Sequence, residues 1–508
     1  DTDGATAVAV MMLAMRQFDF KNINFVVPNR FEHGYGLSPE IVDLAVERYQ
    51  PALIITVDSG IKDIEGVAHA NRLGIEVIVT DHHMPGDVLP EAVVIVNPNA
   101  PDNADFPSKA MAGVTVAFYV MLGVREVLRQ KDWFVIRDMP DPNMAELMDL
   151  VALGTIADVV PLDQNNRIIV FQGLMRIQKG RGRIALKALF AVAQRNTADA
   201  TSSDLGFAIA PHLNAAGRLK DIEIGIQLLI TDDPEKADLL AAQLHDLNLE
   251  RRQIEMGMQK EALDIVKGFK VPVSDLPAGL CLYDPDWHQG IVGILASRMK
   301  DQFLRPTIIL TRHTEGQLKG SARSISNYDI RAMIADIAQE HPDIVLKHGG
   351  HKTAAGLTIT ESGFECFKTA FEATAQRVLS AGLPDITIKT DGELPAQRLT
   401  LDAARMIREA GPWGQKFTEP SFEGAFNIVE QRIVGQRHLK IGLQPVEGYE
   451  IINGIAFNVD LEEWPNEACS RVRLVYRLDV NEYRGMSQLQ LIIQYLEPII
   501  SAADEETD

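Results

Sequence analysis

The sequence predicts an α/β protein. Its first domain is a doubly wound parallel sheet, followed by a long connecting helix, a smaller α/β domain and a small C-terminal β-barrel. Three observations support this prediction: short apolar strands alternate with helical segments in the first third of the chain, residues 234–269 form a helix-favouring stretch without an internal proline, and short apolar runs separated by turn residues follow Pro384. The predicted boundaries are 1–230 for the first domain, 231–270 for the helix, 271–383 for the second domain, 384–500 for the barrel and 501–508 for an acidic tail.

Acidic and imidazole side chains follow two predicted strands of the first domain. The apolar run 53–57 is followed by Asp58, and the run 75–79 is followed, after Thr80, by Asp81, His82 and His83. The carboxyl ends of strands in an open parallel sheet lie at one edge, where ligands bind. We therefore expect these side chains to converge. Further strands are predicted at 24–27 and 92–96, and helices at 5–15, 39–48, 63–73 and 113–129.

Three further aspartates belong to the same predicted edge. Asp1 and Asp3 precede the helical segment 5–15 in what reads as a strand-to-helix turn, and Asp158 stands in an otherwise apolar run. Helix capping is the alternative interpretation for each of these positions. Since a buried carboxylate without a partner is costly, Asp158 is expected to be paired, protonated or bound to metal. The expected strand before Asp1 is missing, so we infer an N-terminal truncation.

Together these side chains predict a metal centre. Carboxylates with an imidazole and no thiolate suit Mn²⁺ or Mg²⁺, and the number of acids favours two ions bridged by a carboxylate. Adjacent residues of an extended chain point in opposite directions, so His82 and His83 are not expected to bind the same ion.

Glycine- and serine-rich segments that carry basic residues predict phosphate-binding loops, because backbone N–H groups approach oxygen closely there. One such segment, 28–37, contains Arg30 and Tyr35. A second loop is predicted at 211–218 and ends on Arg218. A third, at 319–324, follows a predicted strand at 307–310 and contains Ser321 and Arg323. The fourth is Gly349-Gly350-His351.

The C-terminal region predicts a barrel of the oligonucleotide-binding (OB) type, with strands at 422–429, 433–434, 438–443, 451–457, 471–478 and 489–495. Basic residues interleaved with aromatic ones predict a track for single-stranded nucleic acid; an ordinary solvated barrel face is the alternative. These residues are Arg432, Arg437, Lys440, Arg471, Arg473 and Arg477, with Phe457, Tyr476 and Tyr483.

Composition sets the remaining expectations. The formal net charge of −21 argues against nucleic-acid binding through bulk charge, although bound cations would offset part of it. Three widely spaced cysteines argue against a disulfide framework and favour the cytoplasm. No apolar run is long enough to span a membrane, so no membrane partner is expected.

The motifs resemble those of the DHH phosphoesterase superfamily. The resemblance is carried by Asp1-x-Asp3-Gly4, Val57-Asp58-Ser59-Gly60, Asp81-His82-His83 and Ala157-Asp158, and Gly349-Gly350-His351 resembles the signature of the associated DHHA1 domain. The order of the motifs, with segments 287–290 and 321–324 and the barrel, is similar to the single-strand-specific 5′→3′ DNA exonucleases of that superfamily. The sequence departs from the family at its start, where a strand and a further ligand position precede Asp1.

The resemblance implies a role for each motif residue. Asp1, Asp3, Asp58, His82 and Asp158 would bind two divalent ions, Mn²⁺ or Mg²⁺, with Asp58 as the bridge. Asp81 and His83 would support catalysis, and His351 would contact the scissile phosphate. Arg30, Ser321 and Arg323 would hold a 5′-terminal phosphate, and Arg218 would contact the backbone.

The implied activity is stepwise hydrolysis of single-stranded DNA from its 5′ end, in repair and recombination. The resemblance also suggests a single-strand-binding protein and a helicase as partners. Two alternatives are a DHH-type phosphodiesterase of short oligoribonucleotides or cyclic dinucleotides, and a catalytically silent single-strand-binding protein. The barrel argues against the first, and the intact acids at every motif argue against the second.

Overall fold

The structure is a computed structural model that describes residues 1–29, 33–103, 105–272, 275–325, 328–379, 387–435, 437–461, 463–483 and 485–499. Arg30 and the predicted acidic tail lie outside the described residues. Within these ranges every helix is too short or too polar to cross a membrane. Two compact units are present: the first contains residues 1–210, 226–238 and 387–508, and the second contains residues 211–225 and 239–386.

The helices and strands are numbered in chain order. The helices are α1 (Thr2–Gln17), α2 (Pro39–Tyr49), α3 (Ile64–Arg72), α4 (Gly113–Gln130), α5 (Trp133–Ile136), α6 (Met148–Ala157), α7 (Gln164–Gln178), α8 (Ile184–Val192), α9 (Ala210–Leu219), α10 (Glu223–Ile230), α11 (Pro234–Lys267), α12 (Val292–Phe303), α13 (Ile330–Glu340), α14 (Phe364–Val378) and α15 (Leu401–Ala410). The strands are β1 (Leu53–Val57), β2 (Glu76–Thr80), β3 (Val94–Val96), β4 (Leu280–Tyr283), β5 (Thr307–Thr314), β6 (Gln317–Arg323), β7 (Val345–Gly350), β8 (Ala354–Thr360), β9 (Phe422–Val434), β10 (His438–Pro445), β11 (Ile452–Ala456), β12 (Arg471–Tyr483) and β13 (Met486–Pro498).

A three-stranded parallel sheet, β1-β2-β3, organises the beginning of the first unit. Its apolar, β-branched strands alternate with helices, as the sequence pattern predicts. Helix α2 starts with Pro39 after Ser38, whose hydroxyl accepts a hydrogen bond from the Ile41 amide. This arrangement matches the preference for a hydroxyl cap and proline at the first turn. Helices α2 and α3 pack with the sheet around Val42, Val67 and Val77, all fully buried.

Four packed helices continue the first unit. Helix α1 is rich in alanine and methionine and packs against α4 and α6, while α6 also packs against α7. Small residues allow the close approach: a Cβ at Gly173 in α7 would lie 2.3 Å from the Cβ of Ala152 in α6. The predicted helices of this region are confirmed with small shifts at their ends.

The second unit contains a mixed five-stranded sheet in the order β4-β5-β6-β8-β7. Strands β4 and β5 are parallel, and the other neighbours are antiparallel. Helices α13 and α14 cover the sheet through a core that includes Ile334, Phe367 and Phe371. Helix α11, 34 residues long, confirms the predicted long helix.

The C-terminal strands form a closed barrel in the order β10-β11-β13-β12-β9. Alternate residues of β12, namely Val472, Leu474, Tyr476, Leu478 and Val480, fill its core. The barrel belongs to the first unit. The Leu162 amide donates to the Gln415 carbonyl at 2.8 Å, and the Ser202 hydroxyl donates to the Trp413 carbonyl at 2.6 Å.

Several predictions of local structure are wrong. Residues 24–27, predicted as a strand, have no regular secondary structure. Residues 211–218 lie in helix α9 rather than in a loop, because their alanines and leucine favour a helix despite the glycine. Residues 319–323 continue β6, paired on both sides, and Gly349 and Gly350 end β7. The predicted strands 422–429 and 433–434 are one strand, β9.

The predicted stacking role of Tyr476 is also wrong. Its side chain is completely buried in the barrel and packs edge-to-face on Phe426, with ring centroids 5.5 Å apart. The two-residue period of β12 places it on the inner face with Leu474 and Leu478. Phe457 is 53% exposed, as a stacking residue would be, and the side chain of Tyr483 lies outside the described part.

Candidate metal centre and phosphate-binding residues

The register of the parallel sheet aligns three polar residues at one edge. Val57 pairs with Thr80, and Thr80 pairs with Val96, so Asp58, Asp81 and Asn97 each directly follow a strand at the same level. Asp58 has a left-handed backbone conformation with φ of 55°, which aspartate tolerates better than most residues. The predicted convergence of the strand ends is thereby confirmed.

His82 lies among three carboxylates. Its Nε2 atom is 3.1 Å from Asp58 Oδ1, 3.6 Å from Asp158 Oδ2 and 3.9 Å from Asp3 Oδ2. Among the described residues, neither His82 Nε2 nor Asp58 Oδ1 has a hydrogen-bond partner, although both atoms are buried. Such buried polar atoms are rare without a partner or an ion.

Asp3 is buried in the first turn of α1, and the start of α4 holds its carboxylate. The Gly113 amide donates to Oδ2 at 2.7 Å, and the Val114 amide donates to Oδ1 at 2.8 Å. The first amides of a helix are not used within the helix and favour an anion. Gly113 is also required for close packing, because a Cβ there would lie 2.6 Å from the Cβ of Asp58.

Asp158 reaches the centre from a helix rather than from a strand. It is the C-cap of α6, so its predicted position at a strand end is wrong. The apolar run before it is buried on all sides of α6, and an apolar run of this kind does not distinguish a buried helix from a buried strand. Helix α6 approaches α1 at Gly154, where a Cβ would lie 2.3 Å from Thr6 Oγ1 and 3.1 Å from Asp3 Oδ1.

The strand-to-helix turn predicted around Asp1 and Asp3 is a helix start, with Asp1 as the N-cap of α1. The Asp1 carboxylate accepts a hydrogen bond from the Gly4 amide at 3.1 Å, so the capping interpretation is confirmed. A Cβ at Gly4 would lie 3.8 Å from Asp1 Oδ1 and 3.3 Å from Asp58 Oδ2, which places both carboxylates beside the same glycine. The ligand role of Asp1 stays a prediction.

The electrostatics of the centre favour a bound cation. Burial, with smaller effects of neighbouring charges, raises the pKa of Asp58 to about 7. Burial and the nearby Asp58 and Asp158 carboxylates raise the pKa of Asp3 well above its ordinary value, and burial also raises the pKa of Asp158. Without a counter-charge the cluster therefore retains protons, and a divalent ion would remove this repulsion.

Asp81 and His83 form a separate pair. Asp81 Oδ1 accepts hydrogen bonds from the His82 and His83 amides and lies 2.7 Å from His83 Nδ1, while Oδ2 accepts from the Ile61 amide at 3.0 Å. Burial alone would raise the pKa of Asp81, but these bonds lower it below its usual value. The hydrogen bond to Asp81 raises the pKa of His83 to about 9. This raised pKa favours the protonated form of the His83 ring.

The residues present fit divalent ions. One potential ligand atom from each of Asp3, His82 and Asp158 lies within 4.8 Å of the others, and the same holds for Asp58, Asp81, His82 and His83. Carboxylate oxygens with one imidazole suit Mn²⁺ or Mg²⁺, and two atoms of this set, Asp58 Oδ1 and His82 Nε2, are buried without a hydrogen-bond partner among the described residues.

The first unit also contains Tyr35, which is 73% exposed between Gly34 and Gly36. Asp63 holds this turn, because its Oδ2 accepts a hydrogen bond from the Leu37 amide at 2.6 Å. Both glycines have positive φ, and a Cβ at Gly36 would clash with the Asp63 carboxylate at 2.4 Å. The substrate role of Tyr35 stays a prediction.

In the second unit, three predicted phosphate-binding residues gather at the start of α12. Arg218 Nη1 donates to the Gly290 carbonyl at 3.1 Å, and Arg323 Nη1 donates to Ser321 Oγ at 2.8 Å. A Cβ at Gly293 would lie 3.0 Å from Arg323 Nη2 and 3.1 Å from Ser321 Oγ. Residues from two separately predicted segments, 211–218 and 319–324, thus meet at the start of α12, a place that suits an anion.

Gly349, Gly350 and His351 lie at the turn between β7 and β8. Gly356 of β8 pairs with Gly349 of β7 on one side and with Ser321 of β6 on the other. Gly349, Gly356 and Ser321 therefore lie side by side on three adjacent strands. The His351 amide donates to the Ala354 carbonyl at 2.7 Å, and Gly350 has φ of 140°. His351 is exposed beside this turn.

The predicted basic residues of the barrel differ in their surroundings. Arg432 and Lys440 are paired neighbours on β9 and β10, and Arg471 and Arg473 are exposed on β12. Arg477 forms an ion pair with Glu419 at 2.7 Å, which reduces its availability to a phosphate. Arg437 is exposed before β10.

Sequence reasoning missed residues that hold the candidate ligands and the Tyr35 turn in place. Asn97 follows β3 as Asp58 follows β1, and this shared position was the signal that could have identified it. Asn99, Asp63 and Gly113 had no comparable signal, because each acts through a contact with a residue distant in sequence.

Comparisons with known proteins agree along the whole chain. Residues 1–155 match the N-terminal domain of the DHH family, residues 272–377 match the DHHA1 domain, and residues 390–495 match the RecJ OB domain. A Salmonella typhimurium protein named single-stranded-DNA-specific exonuclease RecJ is 50% identical over 499 residues, which cover 98% of this chain and 86% of that protein.

Solved structures show the same similarity. The crystal structure of RecJ from Thermus thermophilus in complex with Mn²⁺ matches with a TM-score of 0.78 and 29% identity, covering 99% of this chain and 68% of that one. The corresponding Mg²⁺ complex matches with a TM-score of 0.72 and 27% identity, covering 99% and 66% of the two chains. Mn²⁺ and Mg²⁺, the metals in these two structures, are the ions that the aspartates and His82 of this chain would bind.

Proposed function

Because the chain belongs to the RecJ family of single-stranded-DNA-specific exonucleases, we propose that it hydrolyses single-stranded DNA stepwise from the 5′ end and releases mononucleotides. The single observation that carries the proposal is the meeting of three carboxylates at one imidazole: His82 Nε2 lies within 3.9 Å of Asp3, Asp58 and Asp158. These four side chains come from α1, two strand ends and the end of α6. A protein that only bound DNA would have no need for this concentration of like charge.

Asp3, Asp58, His82 and Asp158 would hold two divalent ions, Mn²⁺ or Mg²⁺, with Asp58 between them and Asp1 as a further ligand. When bound, two such ions supply positive charge that activates water and stabilises the phosphate oxygens. The α4 amides fix both oxygens of Asp3, so its orientation is set before substrate arrives.

His83 supplies a proton beside these ligands. Its Nδ1 is held by Asp81, and its pKa of about 9 keeps the ring protonated at neutral pH. The Nε2–H group then donates a hydrogen bond to a phosphate oxygen of the substrate or a proton to the departing oxygen. Asp81 orients the ring, since its own oxygens are occupied by His83 and by backbone amides.

The other predicted residues recognise the substrate. Ser321 and Arg323 would hold the 5′-terminal phosphate, with Gly349 and Gly350 allowing close backbone approach, and Arg30 stays a predicted phosphate-binding residue. Arg218 would contact the DNA backbone, and His351 the scissile phosphate. Tyr35 would stack on a base, and the exposed arginines of the barrel would bind the strand further along.

We further propose a cytoplasmic role in DNA repair and recombination, with a single-strand-binding protein and a helicase as partners. The similarity to single-stranded-DNA-specific exonucleases supports the role in DNA repair and recombination. The five predicted segments, with boundaries at 230, 270, 383 and 500, also stay proposals.

The experiment that tests the function is digestion of oligonucleotides labelled at either end. Single-stranded DNA, duplex DNA, RNA and a cyclic dinucleotide are incubated with Mn²⁺ or with a chelator. Early loss of the 5′ label from single strands alone, dependent on Mn²⁺, is the expected result. Preferential hydrolysis of RNA or of the cyclic dinucleotide, or loss of the 3′ label first, would contradict the proposal.

A further inference from the structure

The loop after β3 contains two asparagines whose side chains contact the backbone of the two histidines. Asn97 Nδ2 donates to the His83 carbonyl at 2.9 Å, and Asn99 Nδ2 donates to the His82 carbonyl at 2.6 Å. These two residues are called the asparagine pair below. Asn97 is buried and Asn99 is half-buried.

The asparagine pair is linked internally. Asn97 Oδ1 accepts a hydrogen bond from the Asn99 amide at 2.7 Å, so a single side chain binds both the histidine segment and its own loop. The Asn97 carbonyl accepts from Asn103 Nδ2 at 2.8 Å, and Lys109 Nζ donates to the Pro98 carbonyl at 2.6 Å. The loop is therefore held independently of the histidines that it supports.

The need for this support follows from the end of β2. Strand pairing stops at Thr80, and the Asp81 amide still donates to the Val96 carbonyl, but the His82 and His83 carbonyls lie beyond the ladder. Buried or half-buried carbonyls require donors, and the asparagine pair supplies them. These two bonds fix the two peptide planes that follow His82 and His83.

Fixed peptide planes determine where the two rings point. The ring centroids are 4.4 Å apart and the planes are inclined at 54°, yet the rings have different partners. Nε2 of His82 faces Asp58 at 3.1 Å, whereas Nδ1 of His83 contacts Asp81 at 2.7 Å. A rotation of the backbone between them would displace one ring from the carboxylates or the other from Asp81.

We propose that Asn97 and Asn99 are positioning residues that preorganise His82 as a metal ligand. The inference rests on the proposed function for its divalent ions and deepens it at the same centre. Side chains that orient metal ligands typically change metal affinity about 10- to 100-fold when removed. The effect should therefore appear in metal binding, without DNA.

The test measures Mn²⁺ binding to the whole chain by electron paramagnetic resonance, where the signal of free Mn²⁺ reports the unbound ion. Asn99→Ala and Asn99→Asp are the informative variants. Asn99→Asp keeps the shape of the side chain but cannot donate, and its added negative charge alone would strengthen cation binding. We expect both variants to bind Mn²⁺ about 10-fold more weakly than the wild type, so the aspartate result separates positioning from electrostatics.

Asn71 provides the matched control. Its Nδ2 also donates to a backbone carbonyl, that of Glu91, at 2.8 Å in the same unit, but at the end of α3. Asn71→Ala and Asn71→Asp should bind Mn²⁺ like the wild type. Melting temperatures in chelator establish that the Asn99 and Asn71 variants are folded to the same degree.

Two outcomes would overturn the inference. Wild-type affinity in both Asn99 variants would remove the asparagine pair from the metal centre while leaving the centre itself intact. Absence of Mn²⁺ binding in the wild type would reject the metal centre and the proposed function together with it.

Discussion

His82 Nε2 lies 3.1 Å from Asp58 Oδ1, and both atoms are buried without a hydrogen-bond partner in the part of the chain that the structure describes. The parallel pairing of β1 with β2 brings the two residues together, because it aligns the ends of the two strands. Two buried ligand atoms this close together, with no hydrogen bond to either, suit a cation that contacts both. The predictions below depend on this relationship.

Replacing Asp58 should abolish hydrolysis. Asp58→Ala is expected to lower the rate on single-stranded DNA by about 100-fold or more, since loss of a bridging ligand exceeds the usual effect of a supporting residue. Binding of single strands should persist and is measured by fluorescence anisotropy. Asp43→Ala, which removes a carboxylate paired with His69 on the surface, is the control. Near-normal turnover of Asp58→Ala would exclude the bridging role.

Mn²⁺ binding should strengthen as pH rises to about 7 and level off above it. Burial raises the pKa of Asp58 to about 7, so at lower pH the ion must displace a proton. The metal-free protein should behave oppositely: a carboxyl whose pKa is higher in the folded state stabilises the fold while protonated, and this contribution is lost as pH rises from about 4 to about 7.

Melting temperatures with chelator and with Mn²⁺ between about pH 5 and about pH 8 measure both effects. The Asp58→Asn variant should flatten the two profiles, because it cannot titrate. A Mn²⁺-induced shift that is independent of pH in the wild type would contradict the prediction.

Two glycines of α4 should respond oppositely to alanine. Gly113→Ala places a Cβ 2.6 Å from the Asp58 Cβ and 2.8 Å from its Cα, so we expect a loss of about 1–3 kcal/mol in stability together with weaker Mn²⁺ binding. A Cβ at Gly123 would lie in open space, more than 4 Å from the described residues outside its own helical turn, and Gly123→Ala should stabilise the protein by about 0.5–1 kcal/mol. Urea unfolding measures both, and equal effects would be inconsistent with the described packing.

Arg323 should set the preference for a 5′ phosphate. Loss of a charged hydrogen bond costs about 1.5–3 kcal/mol, so Arg323→Ala should reduce the ratio of rates on 5′-phosphorylated and 5′-hydroxyl strands roughly 10- to 100-fold. Arg331→Ala, which removes an exposed arginine from α13 of the same unit, should leave the ratio unchanged. An unaltered ratio in Arg323→Ala would refute the phosphate pocket.

The barrel should contribute to DNA binding through Arg432 and Lys440, which are neighbours on adjacent strands. Replacing both Arg432 and Lys440 by alanine should weaken binding of long single strands more than of very short ones. The slope of the logarithm of the binding constant against the logarithm of the salt concentration should fall by about 2. Arg129→Ala, which removes a cation paired with Asp141, is the control. Equal losses for long and short strands would argue against a DNA track on this face.

The sequence predicts those parts of the centre that depend on strand ends. Asp58 and Asp81 follow apolar strands whose parallel pairing requires no knowledge of distant contacts. The sequence predicts Asp158 beside the same cluster but on the wrong element, because an apolar run buried on every side has no period that separates helix from strand. Glycine-containing segments at 211–218 and 319–324 were assigned as loops, and their tertiary packing instead makes them a helix and a strand.

The remaining details depend on contacts between distant segments. The hydrogen bonds from Gly113 and Val114 to Asp3 join residues more than a hundred positions apart. The burial of Tyr476, by contrast, is predictable from the sequence alone, because inward and outward residues alternate along β12. The neighbouring arginines instead suggest a surface role for it. The local pattern thus predicts the candidate ligands, whereas their orientation emerges only from the packed fold.

The discontinuous composition of the first unit affects how the protein is made. The barrel belongs to the same unit as α1 and the parallel sheet, although residues 211–225 and 239–386 form the second unit. At a synthesis rate of about 5–20 residues per second, a ribosome needs roughly 9–35 seconds to translate the stretch between residues 210 and 387. During that interval the nascent first unit exposes the surface around Leu162 and Ser202 that the barrel segment later covers. The first unit is therefore completed only after the whole second unit has been translated.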